Sequence, residues 1–238
     1  MNSIVVIGSS GAIGNAFIEN LSILFDKASI FGFTSNKALK SSQSITYNYI
    51  NYKNEDSIEK AALIASEKSP VDLVIIATGI LHHGKIMPEK SLRDLSLEKF
   101  HLLFEANTIL PALIMKHFIP RLNRKTKAVF AALSARVGSI SDNKLGGWYS
   151  YRASKSALSM MIKNAAIETS RNNKNALIVG LHPGTVDSRL SKPFQSNVPE
   201  KRLFTPDYSV KKMLEVLKKL TAKDTGKCFD WDGEEVAP

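Results

Sequence analysis

Tyr151 and Lys155 stand four residues apart in the stretch Tyr151-Arg-Ala-Ser-Lys155. On a helix that spacing places both side chains on one face. A phenol ordinarily ionises near pH ~10 and is a poor acid-base group at neutral pH. A neighbouring ammonium stabilises the phenolate and lowers that value. Such a pair suits proton transfer to or from a carbonyl oxygen while a nicotinamide delivers hydride. A Tyr/Lys pair on a solvated helix has the same spacing, so the pair needs a second, independent motif.

That motif is Gly8-Ser-Ser-Gly-Ala-Ile-Gly14, directly after the β-rich run Ser3 to Ile7. A pyrophosphate is bulky and anionic, and it needs bare backbone N–H groups at a helix N-terminus. Gly8, Gly11 and Gly14 supply bare backbone, and Ser9 and Ser10 add hydroxyls. The spacing is a looser form of the G-x-G-x-x-G fingerprint, with Ala12 where another glycine is expected. A glycine turn also serves merely to reverse a strand into a helix. The order of the two motifs makes a hydride-transfer enzyme the leading expectation. The NAD-binding version of such a site carries an acidic residue near the end of the second strand. Here that place reads Thr34-Ser-Asn-Lys37, with no Asp or Glu between Asp26 and Glu55. Ser35 and Lys37 therefore favour NADP(H) over NAD(H).

These groups must be positioned by a framework. Strands are expected at Ser3 to Ile7, Ala28 to Phe33, Ile45 to Ile50, Val71 to Ala77, Ala128 to Leu133 and Ala176 to Leu181, with Gly226 to Gly233 adding a seventh. Val71-Asp-Leu-Val-Ile-Ile-Ala77 is almost wholly apolar, as a parallel strand covered on both faces should be. Helices are expected at Ala16 to Phe25, Glu55 to Ser66, Leu97 to Arg121, Tyr149 to Ser170 and Val210 to Leu220. Pro111 should kink the third of these. Polar loops separate them, the longest from Asp187 to Pro206. Alternating strands and helices predict an α/β Rossmann-like, doubly wound, mostly parallel seven-stranded sheet with helices on both faces. No repeat or linker-like shift divides the chain, so residues 1–238 read as one domain.

Composition limits the alternatives. Apolar residues are 44% and charged residues 23%, ordinary for a globular protein. No apolar run reaches the roughly 18 uninterrupted residues of a membrane span. The N-terminus lacks a signal-peptide pattern. The single Cys228 excludes an intramolecular disulfide and fits a cytoplasmic location. The net charge is +10, but the lysines are scattered and not interleaved with aromatics, so neither nucleic acid nor membrane is an expected partner. His82 and His83 lack a Cys or carboxylate at ligand spacing, and no metal is expected. Trp148 and Tyr149 either line a substrate pocket or pack the loop.

The set Gly8 to Gly14, Ala77-Thr-Gly79, Asn107, Tyr151 to Lys155 and His182-Pro-Gly184-Thr-Val-Asp-Ser188 resembles the short-chain dehydrogenase/reductase family, in the family's order and over nearly the whole chain. Ser134-Ala-Arg-Val-Gly-Ser-Ile-Ser-Asp-Asn143, Gly146-Gly-Trp-Tyr-Ser-Tyr151, Pro88-Glu-Lys90 and Phe229-Asp-Trp-Asp-Gly233 further resemble its branch of sniffer-type carbonyl reductases and C-factor-like proteins. The resemblance implies that Gly8, Ser10, Ala12, Ile13 and Gly14 line the cofactor phosphates and that Asn51 stands near the adenine. It places Thr78 and Gly79 beside the adenosine half, and Pro183, Gly184, Val186 and Ser188 at the nicotinamide carboxamide. Tyr151 and Lys155 match the catalytic pair, and Asn107 matches an asparagine that bends its helix and relays protons to the lysine.

One departure accompanies this. The family's catalytic serine is the second of a Ser-Ser pair, and here the pair reads Ser134-Ala135. An ungapped match puts Ala135 in that slot. Ser134 supplies the hydroxyl if the loop shifts by one residue, and Ser139 is a more distant candidate; Ser134 is the expected one. The expected activity is interconversion of a small carbonyl and a secondary alcohol by a homodimer or homotetramer. The alternative is a cofactor-binding signalling or scaffold protein of C-factor type with little turnover.

Overall fold

The computed structural model describes residues 1–36, 41 and 44–238, with the backbone alone at Asn197. Lys37, paired with Ser35 in the cofactor expectation, lies outside the described residues. Seven strands form one sheet: β1 (Ser3–Ile7), β2 (Ser29–Thr34), β3 (Ile45–Tyr49), β4 (Leu73–Ile76), β5 (Ala128–Leu133), β6 (Ala176–His182) and, after the short β7 (Thr185–Val186) and β8 (Leu203–Phe204), β9 (Cys228–Asp230). Their spatial order is β3-β2-β1-β4-β5-β6-β9, and every neighbouring pair is parallel. The order reverses between β1 and β4, and the crevice at the carboxyl ends of the strands there is where doubly wound sheets bind ligands.

Alternate residues of each strand feed opposite cores. Val5 and Ile7 face helices α2 (Glu55–Ser66), α4 (Leu110–Phe118) and α5 (Tyr149–Ser170). Ile4 and Val6 face α1 (Ala12–Leu24) and α6 (Pro206–Lys219). The doubly wound expectation is met, and the sheet is parallel throughout.

The boundaries differ where local rules act. Helix α1 starts at Ala12 rather than Ala16, because the end of the glycine turn is itself the first helical turn. Helix α6 starts at Pro206, where Thr205 Oγ1 accepts the Tyr208 N–H at 3.2 Å and a proline in the first turn loses no helix bond. Val71 does not enter β4; it bridges Leu122 instead. The segment expected as one kinked helix is α3 (Leu97–Phe104), a π-turn at Glu105–Ile109, then α4. The interruption is centred on Asn107 and not on Pro111, because Pro111 has no N–H to give the Asn107 carbonyl and the backbone widens upstream of it.

Leu97–Arg121 is also long and apolar enough, by length and composition, to cross a bilayer, although Glu98, Lys99, Glu105 and Lys116 interrupt its apolar run. Its Leu110, Ile114, Met115 and Phe118 are buried in the core against the sheet.

Phe118 is fully buried and meets Phe33 edge-on, with centroids 6.2 Å apart. Phe118→Ala is expected to lower unfolding stability by about 3–5 kcal/mol. Urea denaturation should show a reduced midpoint with an unchanged slope.

Candidate active site

The glycine turn joins β1 to α1 beneath the carboxyl edge of the sheet. Gly8 has φ +86°, and a Cβ there would lie 2.9 Å from the Ala77 carbonyl carbon. A Cβ on Gly14 would lie 2.2 Å from the Gly8 oxygen, so the turn closes only with glycine at both places. Helix α1 has Gly11 as its N-cap residue, with no side-chain cap and no acidic residue in its first turn. Its first N–H groups and the positive end of its dipole therefore face open space, with Gly11 and Ala12 exposed. Ser10 Oγ accepts the Thr34 hydroxyl at 2.7 Å, tying the turn to the end of β2. Ser35 is exposed just beyond. Asn51 is exposed too, and its Oδ1 accepts the Lys53 N–H at 3.0 Å, leaving the amide nitrogen available. Thr78 Oγ1, at the end of β4, is buried without a partner. The bare glycines, the uncapped helix and this orphaned hydroxyl fit a dinucleotide.

Helix α5 carries Tyr151 and Lys155 to the same edge. The Lys155 ammonium is buried, donates to the Leu133 carbonyl at 2.9 Å and stands 5.9 Å from the Tyr151 ring centroid. Gly138 lets the helix sit down: a Cβ there would lie 2.8 Å from Lys155 Cβ. Burial pushes the ammonium down to about 8 and the phenol up to about 12. The expected lowering of the phenol is thus reversed in the protein alone, because desolvation outweighs an ammonium at that range. The Tyr151 hydroxyl bonds no protein atom among the described residues.

Asn107 joins these parts. Its Oδ1 accepts the Ile80 N–H at 2.9 Å, and its Nδ2 donates to the Ile80 carbonyl and to Ser154 Oγ at 2.9 and 3.1 Å. A Cβ on Gly79 would lie 3.3 Å from Asn107 Oδ1 and 3.6 Å from Lys155 Nζ. Gly79, Asn107 and Lys155 therefore share one small space. On the far side, Gly184 (φ +75°) turns Pro183 away from β6, because a Cβ there would strike Phe204 at 2.6 Å. Val186 is buried in β7, and Ser188 accepts the Ser191 N–H at 3.4 Å in the turn that starts the cover segment, residues 187–206.

The serine question resolves into two different environments. Ala135 packs in the apolar cluster of Leu81, Leu103, Tyr151, Trp148, Leu190 and Phe194. Ser134 faces the Cys228 thiol without completing a hydrogen bond, and its hydroxyl is buried. Burial pushes that thiol up to about 11. Ser139 Oγ accepts the Asp142 N–H at 3.1 Å in its own loop. A methyl, and not a hydroxyl, stands in the cluster around Tyr151.

Several residues escaped the sequence reading. Tyr52 sends its hydroxyl under the glycine turn, 3.5 Å from the Phe33 carbonyl, and burial pushes it up to about 12. No local pattern marks it. Thr108 Oγ1 donates to the Ser154 carbonyl at 2.8 Å, bracing the π-turn against α5. His82 Nε2 contacts the Arg189 carbonyl at 3.2 Å and its ring meets Phe194, while Trp148 lies against Phe194 and Tyr151. Trp148 thus packs between Tyr151 and Phe194, and His82 packs on the segment from 187 to 206. His182 Nδ1 is buried without a partner, and burial lowers its pKa to about 4.

Residues 2–199 match the short chain dehydrogenase family. The chain belongs to that family. Short-chain dehydrogenase relatives include the C-signal protein of Myxococcus xanthus, 29% identical over 167 residues that span 70% of this chain and 92% of that protein. The NADPH-bound carbonyl reductase from chicken fatty liver has a TM-score of 0.85 at 26% identity, covering 100% of this chain and 99% of that one. The carbonyl reductase Sniffer of D. melanogaster has a TM-score of 0.86 at 21% identity over 100% of both chains, a likeness of fold.

Two outcomes test this short-chain dehydrogenase site. Gly14→Ala is expected to lower the melting temperature by several degrees, about 1–3 kcal/mol, because its methyl meets a backbone oxygen. The second concerns Lys155. Its folded pKa of about 8 lies below the unfolded value of about 10.4, so the unfolded chain holds the extra proton between them. The Lys155 contribution to stability therefore rises with pH through that window. The urea stability of wild type minus that of Lys155→Met should increase from pH ~8 to pH ~10, a difference that cancels the buried phenols and thiol.

Proposed function

We propose that this short-chain dehydrogenase is an NADP(H)-dependent oxidoreductase interconverting a small apolar carbonyl and its secondary alcohol. The observation carrying the proposal is the Tyr151 hydroxyl, without a partner among the described residues, on the same helix face as a buried Lys155 whose ammonium stands 5.9 Å from the Tyr151 ring centroid. The NADPH-bound state of the chicken reductase, at 26% identity, supports the cofactor assignment. Gly8, Ser10, Ala12, Ile13 and Gly14 would hold the pyrophosphate. Ser35 would meet the 2′-phosphate, Asn51 the adenine, and Thr78 and Gly79 the adenosine half. Pro183, Gly184, Val186 and Ser188 would hold the nicotinamide, which when bound supplies or accepts hydride.

The chain's own residues handle the proton. At neutral pH the Tyr151 phenol is protonated and donates to the carbonyl oxygen during reduction. Lys155, holding Leu133 with one N–H, has others to offer the nearby ribose and the phenolate as it forms. Asn107 fixes Ile80 and Ser154 and so holds the Lys155 surroundings, as the proton-relay assignment requires. Leu81, Leu103, Trp148, Leu190 and Phe194 exclude water and favour an apolar substrate. Ser134, the expected hydroxyl donor, reaches this pocket only by a loop rearrangement, and Ala135 offers no hydrogen bond.

That last observation favours a second reading, a cofactor-binding signalling protein with little turnover, of which the C-signal relative at 29% identity is a reminder. Exposed Leu97, Ile109, Met160 and Ile167 on α3, the π-turn and α5 support homodimer or homotetramer formation.

NADPH consumption with a panel of small aldehydes and ketones separates the readings. Turnover with NADPH preferred to NADH, falling by about 10²–10⁴ in Tyr151→Phe, is expected. NADPH binding without any turnover would leave the signalling reading. Ala135→Ser should raise turnover by about tenfold or more, by adding a donor at the developing oxyanion. Alcohol oxidation should accelerate with rising alkaline pH, since a phenol pushed up to about 12 must first lose its proton to act as base, and reduction should not.

A further inference from the structure

Helix α5 lacks a cap of its own. Its N-cap residue Trp148 offers no side-chain bond and has φ 50°, the one non-glycine positive φ among the described residues. A left-handed bulky residue is strained and persists only where its surroundings hold it. What holds it comes from the loop between β4 and α3. The Glu89 carbonyl accepts the Trp148 N–H at 2.6 Å. The Glu89 carboxylate, fully buried, accepts the Ser150 hydroxyl at 2.5 Å and the Ser150 N–H at 3.3 Å. Gly147, with φ +64°, passes close beneath, and a Cβ there would lie 3.4 Å from the Glu89 carbonyl oxygen.

A buried carboxylate is costly unless its acceptor sites are filled. Among the described residues no Lys, Arg or His pairs with Glu89. Its partners are neutral donors at the first turn of a helix, where the dipole also favours negative charge. The residue after Ser150 is Tyr151, and the Trp148 ring meets the Tyr151 ring edge-on at 6.2 Å. Glu89 therefore holds Ser150, the residue just before the phenol, and Trp148, the aromatic ring beside it.

We propose that Glu89 is a positioning residue for Tyr151: from a separate loop it caps the helix and fixes where the phenol meets the substrate. The same loop supplies Ile80, Leu81 and His82 to the pocket, so one carboxylate registers the pocket wall with the proton donor. This inference rests on the assignment of Tyr151 as proton donor.

The test compares Glu89→Ala, Glu89→Gln and Ser150→Ala by two readouts. Glutamine can accept the Ser150 N–H with its oxygen and donate to the Ser150 hydroxyl with its amide, so it preserves the cap. In Glu89→Ala, kcat for carbonyl reduction is expected to fall about 10²-fold, as misplacement of a reacting group does, with KM for NADPH within about twofold. Hydrogen exchange of residues 149–155 should accelerate while the sheet stays protected. Glu89→Gln should stay within about threefold of wild type in both. Ser150→Ala, which leaves Glu89 only the N–H, should lose less than Glu89→Ala in the same direction, and it carries the test if Glu89→Ala does not fold. Wild-type exchange and kcat in Glu89→Ala, or in Ser150→Ala where that variant carries the test, would overturn the proposal. So would a Glu89→Gln as damaged as Glu89→Ala. If wild type reduces no carbonyl, the proton-donor assignment falls, while the exchange arm still decides whether Glu89 organises the first turn of α5.

Discussion

A buried ammonium must find acceptors, and among the described residues Lys155 finds a single one, the carbonyl that ends β5. That bond requires α5 to lie hard against the sheet edge, and Gly138 removes the Cβ that would block it. It requires β5 to end where it does, which the pairing of Ala128 to Leu133 with Ala176 to Leu181 enforces. The remaining space around the ammonium is shaped by Gly79 and Asn107, both backed by the π-turn. Burial lowers the ammonium and raises the phenol, so both groups of the pair resist charge in the isolated protein. An anionic ligand placed at this edge would relieve that cost for the lysine.

The pocket beside this polar point is apolar and largely aromatic. Trp148 meets the Tyr151 ring, Phe194 packs on Trp148, and His82 packs on Phe194, so three different segments join beside the phenol. The cover segment is held at its base by the two-stranded pairing of Thr185–Val186 with Leu203–Phe204. Phe204 meets Trp231 edge-on with centroids 4.6 Å apart, so the C-terminal segment supports the turn at Gly184. Ala135 keeps this lining free of a second hydroxyl. Two buried polar atoms behind it, Ser134 Oγ and His182 Nδ1, remain without partners and are a local cost of the arrangement.

Much of the framework was legible because its local signals agree with its packing. The α2, α5 and β5 limits coincide with the sequence expectation, since each has a clear apolar period and a loop on both sides. Asn54 caps α2 through its side chain, a signal local to the sequence. The errors fall where tertiary contacts decide. Ala12 to Gly14 is helical although Gly14 argues against helix there. The bend near Asn107 needed the joint effect of Pro111 and the Ser154 and Ile80 contacts. The site motifs were visible as residue types at fixed offsets; Tyr52, Glu89 and Thr108 were not, because their partners lie on distant segments.

The sequence by itself determined the alternation of strands and helices, the glycine turn and the four-residue offset of Tyr151 and Lys155, because these depend only on backbone period and local sterics. Tertiary structure alone decided which of Ser134 and Ala135 enters the pocket, since one residue of register turns a side chain to the opposite side of an extended chain. It also gathered cations that lie dispersed along the sequence. Lys68, Arg124, Lys125, Arg171 and Lys174 all occupy exposed connections entering β4, β5 and β6, at the edge opposite Tyr151. Parallel strands send every entering connection to one edge and every leaving one to the other, and no single stretch of sequence carries that information.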